Sequence, residues 1–135
     1  MKKLRFILII FIFILGCDRL KNLSGDYVLD LDDKYKLWRT SPEQIMITDE
    51  SNTNIVGPVI VKINMYDNCV FGLVKKPEWP QDSGSVSGYF LLNINTDILL
   101  QGLTEREWLV YLKKTGVKNY KLLRIDAFKD KILNK

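Results

Sequence analysis

The chain has 135 residues, with 20 Lys and Arg against 16 Asp and Glu and no histidine. That length suits one domain, which at this size buries about two-thirds of its unfolded surface and folds without staples. The missing imidazole excludes Ser-His-Asp and Cys-His nucleophile activation, and every zinc site that needs a histidine ligand.

The formal charge of +4 overstates how basic the working protein is. Lys2, Lys3 and Arg5 precede an unbroken apolar run from Phe6 to Leu15, the layout of a secretory signal over residues 1–16. Without those three, the 20 basic residues fall to 17 against 16 acidic ones, a balance that gives no reason to expect a nucleic-acid partner. Residues 17–74 hold 6 basic and 9 acidic side chains and residues 75–135 hold 11 and 7, a mild asymmetry that reads as solvated faces. Ten apolar residues in a helix span about 15 Å, half the hydrocarbon thickness, so the run suits export rather than a permanent span.

Ile14-Leu15-Gly16-Cys17 closes this segment and resembles the lipobox of bacterial lipoproteins, in which aliphatic residues and a small residue precede a cysteine. The resemblance implies that diacylglycerol is attached to the Cys17 thiol, that the Gly16–Cys17 bond is then cut, and that the new amino group is open to acylation. Cysteine is required because a thiolate is the soft nucleophile that alkylation needs, and the small Gly16 lets the peptidase approach the backbone. Each buried methylene contributes about 0.8 kcal/mol, so two or three acyl chains hold a protein stably where one does not. Cys17 as the lipid-bearing residue leaves Cys69 without a partner, so no disulfide is expected, and Cys69 within Cys69-Val70-Phe71 reads as a small core residue.

The expected location is the outer, extracytoplasmic or periplasmic, face of the cell membrane. Asp18 resembles the signal that retains lipoprotein in the inner membrane of enterobacteria-like cells. Residues 17–24 form the lipidated N-terminus and tether, and Asp18 to Gly25 reach about 28 Å when fully extended, which keeps the domain of residues 25–125 close to its membrane.

From Gly25 the chain reads as short strands separated by polar turns. Asp26–Leu31 and Lys34–Arg39 flank Asp32-Asp33 as a hairpin, Gln44–Thr48 is a third strand, and Asp49–Asn54 a loop. Val59–Tyr66 alternates, placing Val59, Val61, Ile63 and Met65 on a core face. Asp67-Asn68 turns into a strand over Cys69–Lys75. Residues 77–88, rich in Pro, Gly and Ser, form the longest irregular segment and the expected functional loop. There Trp79, beside Lys75 and Lys76, is either an exposed recognition element or a lid folded onto the core.

Tyr89–Ile94 and Ile98–Gln101 make a further hairpin. Thr104-Glu-Arg-Glu107 is a capping box and Leu103 with Trp108 a hydrophobic staple, so a helix starts here. Gly116 takes the left-handed conformation at its end, and Val117 meets Leu112 in a Schellman stop. Glu105 and Glu107, then Lys113 and Lys114, complement the helix dipole, and Trp108, Leu109 and Leu112 face the sheet. Tyr120–Ile125 reads as the last strand, and residues 126–135 as a basic tail, with Phe128, Ile132 and Leu133 at roughly helical spacing, that packs locally or lies on anionic lipid. The predicted class is α+β: a mostly antiparallel sheet of about seven short strands with one helix on one face.

Residues 25–47, with Asp26, Tyr27, Leu31, Tyr35, Leu37 and Arg39-Thr-Ser-Pro42, and residues 89–117, with the L-T-x-x-E-W helix, resemble a family of small uncharacterised bacterial lipoproteins. The resemblance supports anchoring and the domain limits and assigns no activity. The leading expectation is therefore a non-enzymatic, membrane-tethered domain that binds an envelope protein. A sharper form makes it an immunity or inhibitor lipoprotein acting against a toxin or a cell-wall enzyme. The competing enzyme reading would draw on Asp30, Asp32 and Asp33, or on Ser83 and Ser85 with Lys75 or Lys76. A calcium loop supplies six or more regularly spaced oxygen ligands, and a Ser–Lys dyad needs a desolvated lysine. Neither pattern is written here, so no catalytic residue, metal or cofactor is expected.

Overall fold

The computed structural model describes residues 25–78 and 86–135. Strands β1 (Tyr27–Asp30), β2 (Lys36–Ser41), β3 (Gln44–Thr48) and β4 (Asn54–Val56) pair antiparallel in chain order as one sheet. The second sheet contains β5 (Ile60–Tyr66), β6 (Cys69–Val74), β7 (Gly88–Asn93), β8 (Ile98–Leu103) and β9 (Leu123–Arg124), in the order β8-β7-β6-β5-β9. Helix α1 (Glu105–Lys114) follows β8, and α2 (Ile125–Leu133) follows β9.

The period of two along the strands builds three layers. In the first sheet Leu29, Leu37, Ile47 and Val56 stand in cross-strand register, and all four are buried. They meet Ile60, Ile63, Val70, Val74, Phe90 and Leu92 of the second sheet in one core. The alternate residues Cys69, Phe71 and Leu91 face the other way and pack with Trp108, Leu112 and Val117. Each fully buried side chain of this size contributes about 1.5–3 kcal/mol, so the helix and the first sheet compete for no surface. Gly72 is required between them, because a Cβ there would lie 2.8 Å from Cε1 of the Phe90 ring.

Both ends of α1 form as the residues predict. Thr104 accepts from the Glu107 N–H at 3.3 Å while the Glu107 carboxylate accepts from the Thr104 N–H at 2.9 Å. Gly116, at φ +78, donates to Lys113 and Val117 donates to Leu112, both at 3.1 Å, completing the Schellman stop. Leu103 and Trp108 share the second core cluster, as a staple requires. Cys69 is buried with a free thiol, which burial pushes up.

Three expectations need correction. The described residues contain nine strands and two helices rather than about seven and one, in part because Asn54–Val56, which starts at the end of the expected loop, pairs with β3. Within β5 the register shifts between Ile60 and Lys62. That irregularity resets the alternation, so Ile60 is fully buried while Val59 and Val61 are only half-buried.

The third correction concerns the C-terminus. The last strand shrinks to Leu123–Arg124, and the residues read as a basic tail are mostly helix α2, with Phe128 fully buried in the inter-sheet core beside Ile125. Lys131 does not reach toward lipid: its Nζ donates to Asn64 Oδ1 at 2.7 Å and to the Met65 carbonyl at 2.9 Å. The exposed positions of α2 include Asp126 and Asp130, which disfavours an anionic surface.

Candidate functional site

Several shallow clefts open on the described residues, and two regions of the sandwich bear on binding. The first is a shallow cleft of about 140 Å³ at the end of the sandwich where β1 begins. The β2–β3 turn supplies Glu43 and Gln44, the strand leading into β5 supplies Val59, and the chain leaving β6 supplies Lys75, Lys76 and Pro77. The Lys75 N–H donates to the Val59 carbonyl at 3.0 Å, so the β5–β6 pairing runs on to the lip of the cleft. There the backbone is held while the lysine side chains stay exposed. Lys75 Nζ lies 3.5 Å from Glu78 Oε1, with both side chains mostly in water, a pair of small energetic weight. Lys76 is exposed. The cleft therefore presents Lys75 and Lys76 together with Glu43 and Glu78, beside the half-buried Val59 and Pro77, at the root of the 77–88 segment.

Of the other residues singled out from sequence, Gly16, Cys17, Trp79, Ser83 and Ser85 lie outside the described residues. The candidate carboxylates Asp30, Asp32 and Asp33 are all described, and Asp32 does structural work. Asp32 Oδ1 accepts from the N–H groups of Lys34 at 3.0 Å and Tyr35 at 2.7 Å, fixing the β1–β2 turn. Asp97, which sequence reasoning passed over, joins this turn from the far sheet. It accepts from Lys34 Nζ at 3.0 Å and from the Tyr35 hydroxyl at 2.9 Å. The Lys34 and Tyr35 contacts hold its carboxyl below the usual aspartate range, while burial and Asp97 push Tyr35 up to about 12. Among the described residues no three His, Cys, Asp or Glu side chains converge as a metal site.

The second open region is the outer face of the first sheet. Val28, Trp38 and Met46 stand directly opposite one another across β1, β2 and β3. Being out of phase with the buried Leu29-Leu37-Ile47 row, they point away from the core. Val28 is 51% exposed, Trp38 and Met46 are half-buried, and neither core cluster includes any of them. Among the described residues no helix covers this face as α1 covers the second sheet. Both faces of these strands carry apolar residues, so alternation alone could not single out this row.

Compared with protein-family models, curated proteins and solved structures, the chain has no match.

Proposed function

We propose that the protein is a bacterial lipoprotein, held on the outer face of the cell membrane by acyl chains on Cys17, whose domain binds an envelope protein without catalysis. The reading extends the resemblance of residues 25–47 and 89–117 to small bacterial lipoproteins. Where the cell has two membranes, Asp18 favours the inner one.

The observation that carries the binding role is the cleft at Glu43, Gln44, Lys75, Lys76, Pro77 and Glu78, which sets exposed charges of both signs beside Val59 and Pro77 on a rim tied by the Lys75–Val59 backbone bond. Such a rim suits a partner segment that presents charges of both signs around an apolar anchor. A toxin or a wall-degrading enzyme would satisfy the same chemistry, which is the immunity form of the reading. Of the carboxylates open to the enzyme reading, Asp32 is committed to turn geometry.

A photo-crosslinking residue at Lys76, introduced in the native host, tests the binding role. One envelope protein should be captured, and the same residue placed at the exposed Lys118, beyond α1, should not capture it. Equal background capture from both positions would refute binding at the cleft.

A further inference from the structure

The bare Val28-Trp38-Met46 face has no partner within the described fold, yet it lies beside the point where the tether joins the domain. The Gly25 carbonyl accepts from the Arg39 guanidinium at 2.9 Å, so the start of the domain is fastened to β2. Val28 follows three residues later on β1, the edge strand of that sheet. Eight residues, Asp18 to Gly25, separate Cys17 from this edge and reach about 28 Å at full extension. The second sheet's outer face is shielded by α1 and lies on the opposite side of the sandwich.

We infer that the outer face of the first sheet lies on the bilayer that holds the anchor, with Trp38 at headgroup level. The inference rests on the Cys17 lipidation proposed above. Its chemistry fits: a tryptophan flanked by aliphatic and thioether side chains prefers the membrane interface, where the ring is shielded and its N–H stays wet. Asp30 and Lys36, directly opposite in the neighbouring row, oppose each other in charge, and Thr40 bonds Gln44 at 3.1 Å. The face is thus ringed by polar groups with little net charge, apart from Asp26 where the tether joins. Confinement by the short tether raises the local concentration of the face at the surface, so a row of three side chains suffices. The cleft at the end of the sandwich stays open to a partner.

The test uses the full-length protein purified from native membranes and reconstituted in phosphatidylethanolamine–phosphatidylglycerol vesicles with brominated acyl chains. The chain has three tryptophans, so W38F isolates the emission of Trp38. Wild type should lose emission to bromine that W38F does not lose. V28E, a change at an exposed site that leaves the core intact, should abolish most of that loss. Equal quenching of wild type and W38F would overturn the inference, as would disulfide-linked dimers of V28C, which would assign the face to a second copy. Intact mass of the same sample reads the anchor separately. Acyl mass without Trp38 quenching refutes the docking alone, whereas absent acyl mass refutes the anchor and the inference that rests on it.

Discussion

The Tyr35 hydroxyl donates a 2.9 Å hydrogen bond to Asp97 Oδ1, joining the β1–β2 turn of one sheet to the β7–β8 turn of the other. Lys34 Nζ reaches the same carboxylate at 3.0 Å. Asp97 sits at φ +55, a left-handed turn conformation that Asp tolerates better than most residues. One aspartate thus shapes its own hairpin and ties the two layers together at the sandwich end remote from Gly25.

This contact makes stability pH-dependent at both extremes. Asp97 is held below its ordinary range when folded, so its contribution is present above the unfolded aspartate pKa and lost as pH falls through the folded one. Tyr35 is raised from 10.0 to about 12, so its contribution is full below pH 10 and lost as pH rises toward 12. Urea unfolding should show D97N with a flatter acid limb than wild type, and Y35F with a flatter alkaline limb. Wild-type slopes retained in both variants would contradict the assignment.

Phe128 should separate a core helix from a tail. Truncating a fully buried phenylalanine costs about 3–5 kcal/mol, so F128A should lower the urea midpoint steeply, and deletion of 126–135 should abolish cooperative unfolding. A tail lying on lipid would leave the midpoint of the protein in detergent unchanged. Circular dichroism under urea distinguishes these results.

At the start of α1, Thr104→Ala removes a reciprocal cap and should cost about 1 kcal/mol. The change should leave the dependence of unfolding free energy on urea unaltered, because the surface exposed on unfolding is the same. An unchanged midpoint would show that the Leu103–Trp108 staple suffices alone.

Two glycines should respond differently to alanine. Gly72→Ala drives a methyl to 2.8 Å from the Phe90 ring between paired strands, and overpacking of this kind costs about 1–3 kcal/mol or more. Gly116→Ala meets nothing within 4 Å but keeps φ at +78, where a side chain costs about 1–2 kcal/mol. Thermal unfolding should rank G72A below G116A, and the reverse order would place the strain elsewhere.

Elements whose signals are local were legible in the sequence. The cap, staple and stop of α1 all lie within Leu103–Val117, and the β1–β2 turn is written in Asp32 and its neighbours. Elements that depend on distant partners were not. Asn64 breaks the apolar logic of β5, yet it is buried because Lys121 and Lys131, 57 and 67 residues later, supply its hydrogen bonds. The shift at Ile60–Lys62 likewise exists only against β6. In α2 the helical spacing of Phe128 and Ile132 was visible. The inward face begins at Ile125, however, and Leu133, expected among the apolar set, is 64% exposed. At the cleft, Lys75 and Lys76 were identified from their nearness to the 77–88 segment. Glu43 and Gln44 arrive across the sandwich and left no local signal.

The proposed location, short tether and orientation of the domain all depend on the lipid attachment proposed at Cys17. Intact-mass spectrometry of protein purified from the membranes of its native host measures it directly. The chain should begin at Cys17 and carry a diacylglyceryl group, with or without a further acyl chain. A protein that still begins at Met1, or one whose Cys17 thiol is unmodified, would contradict it.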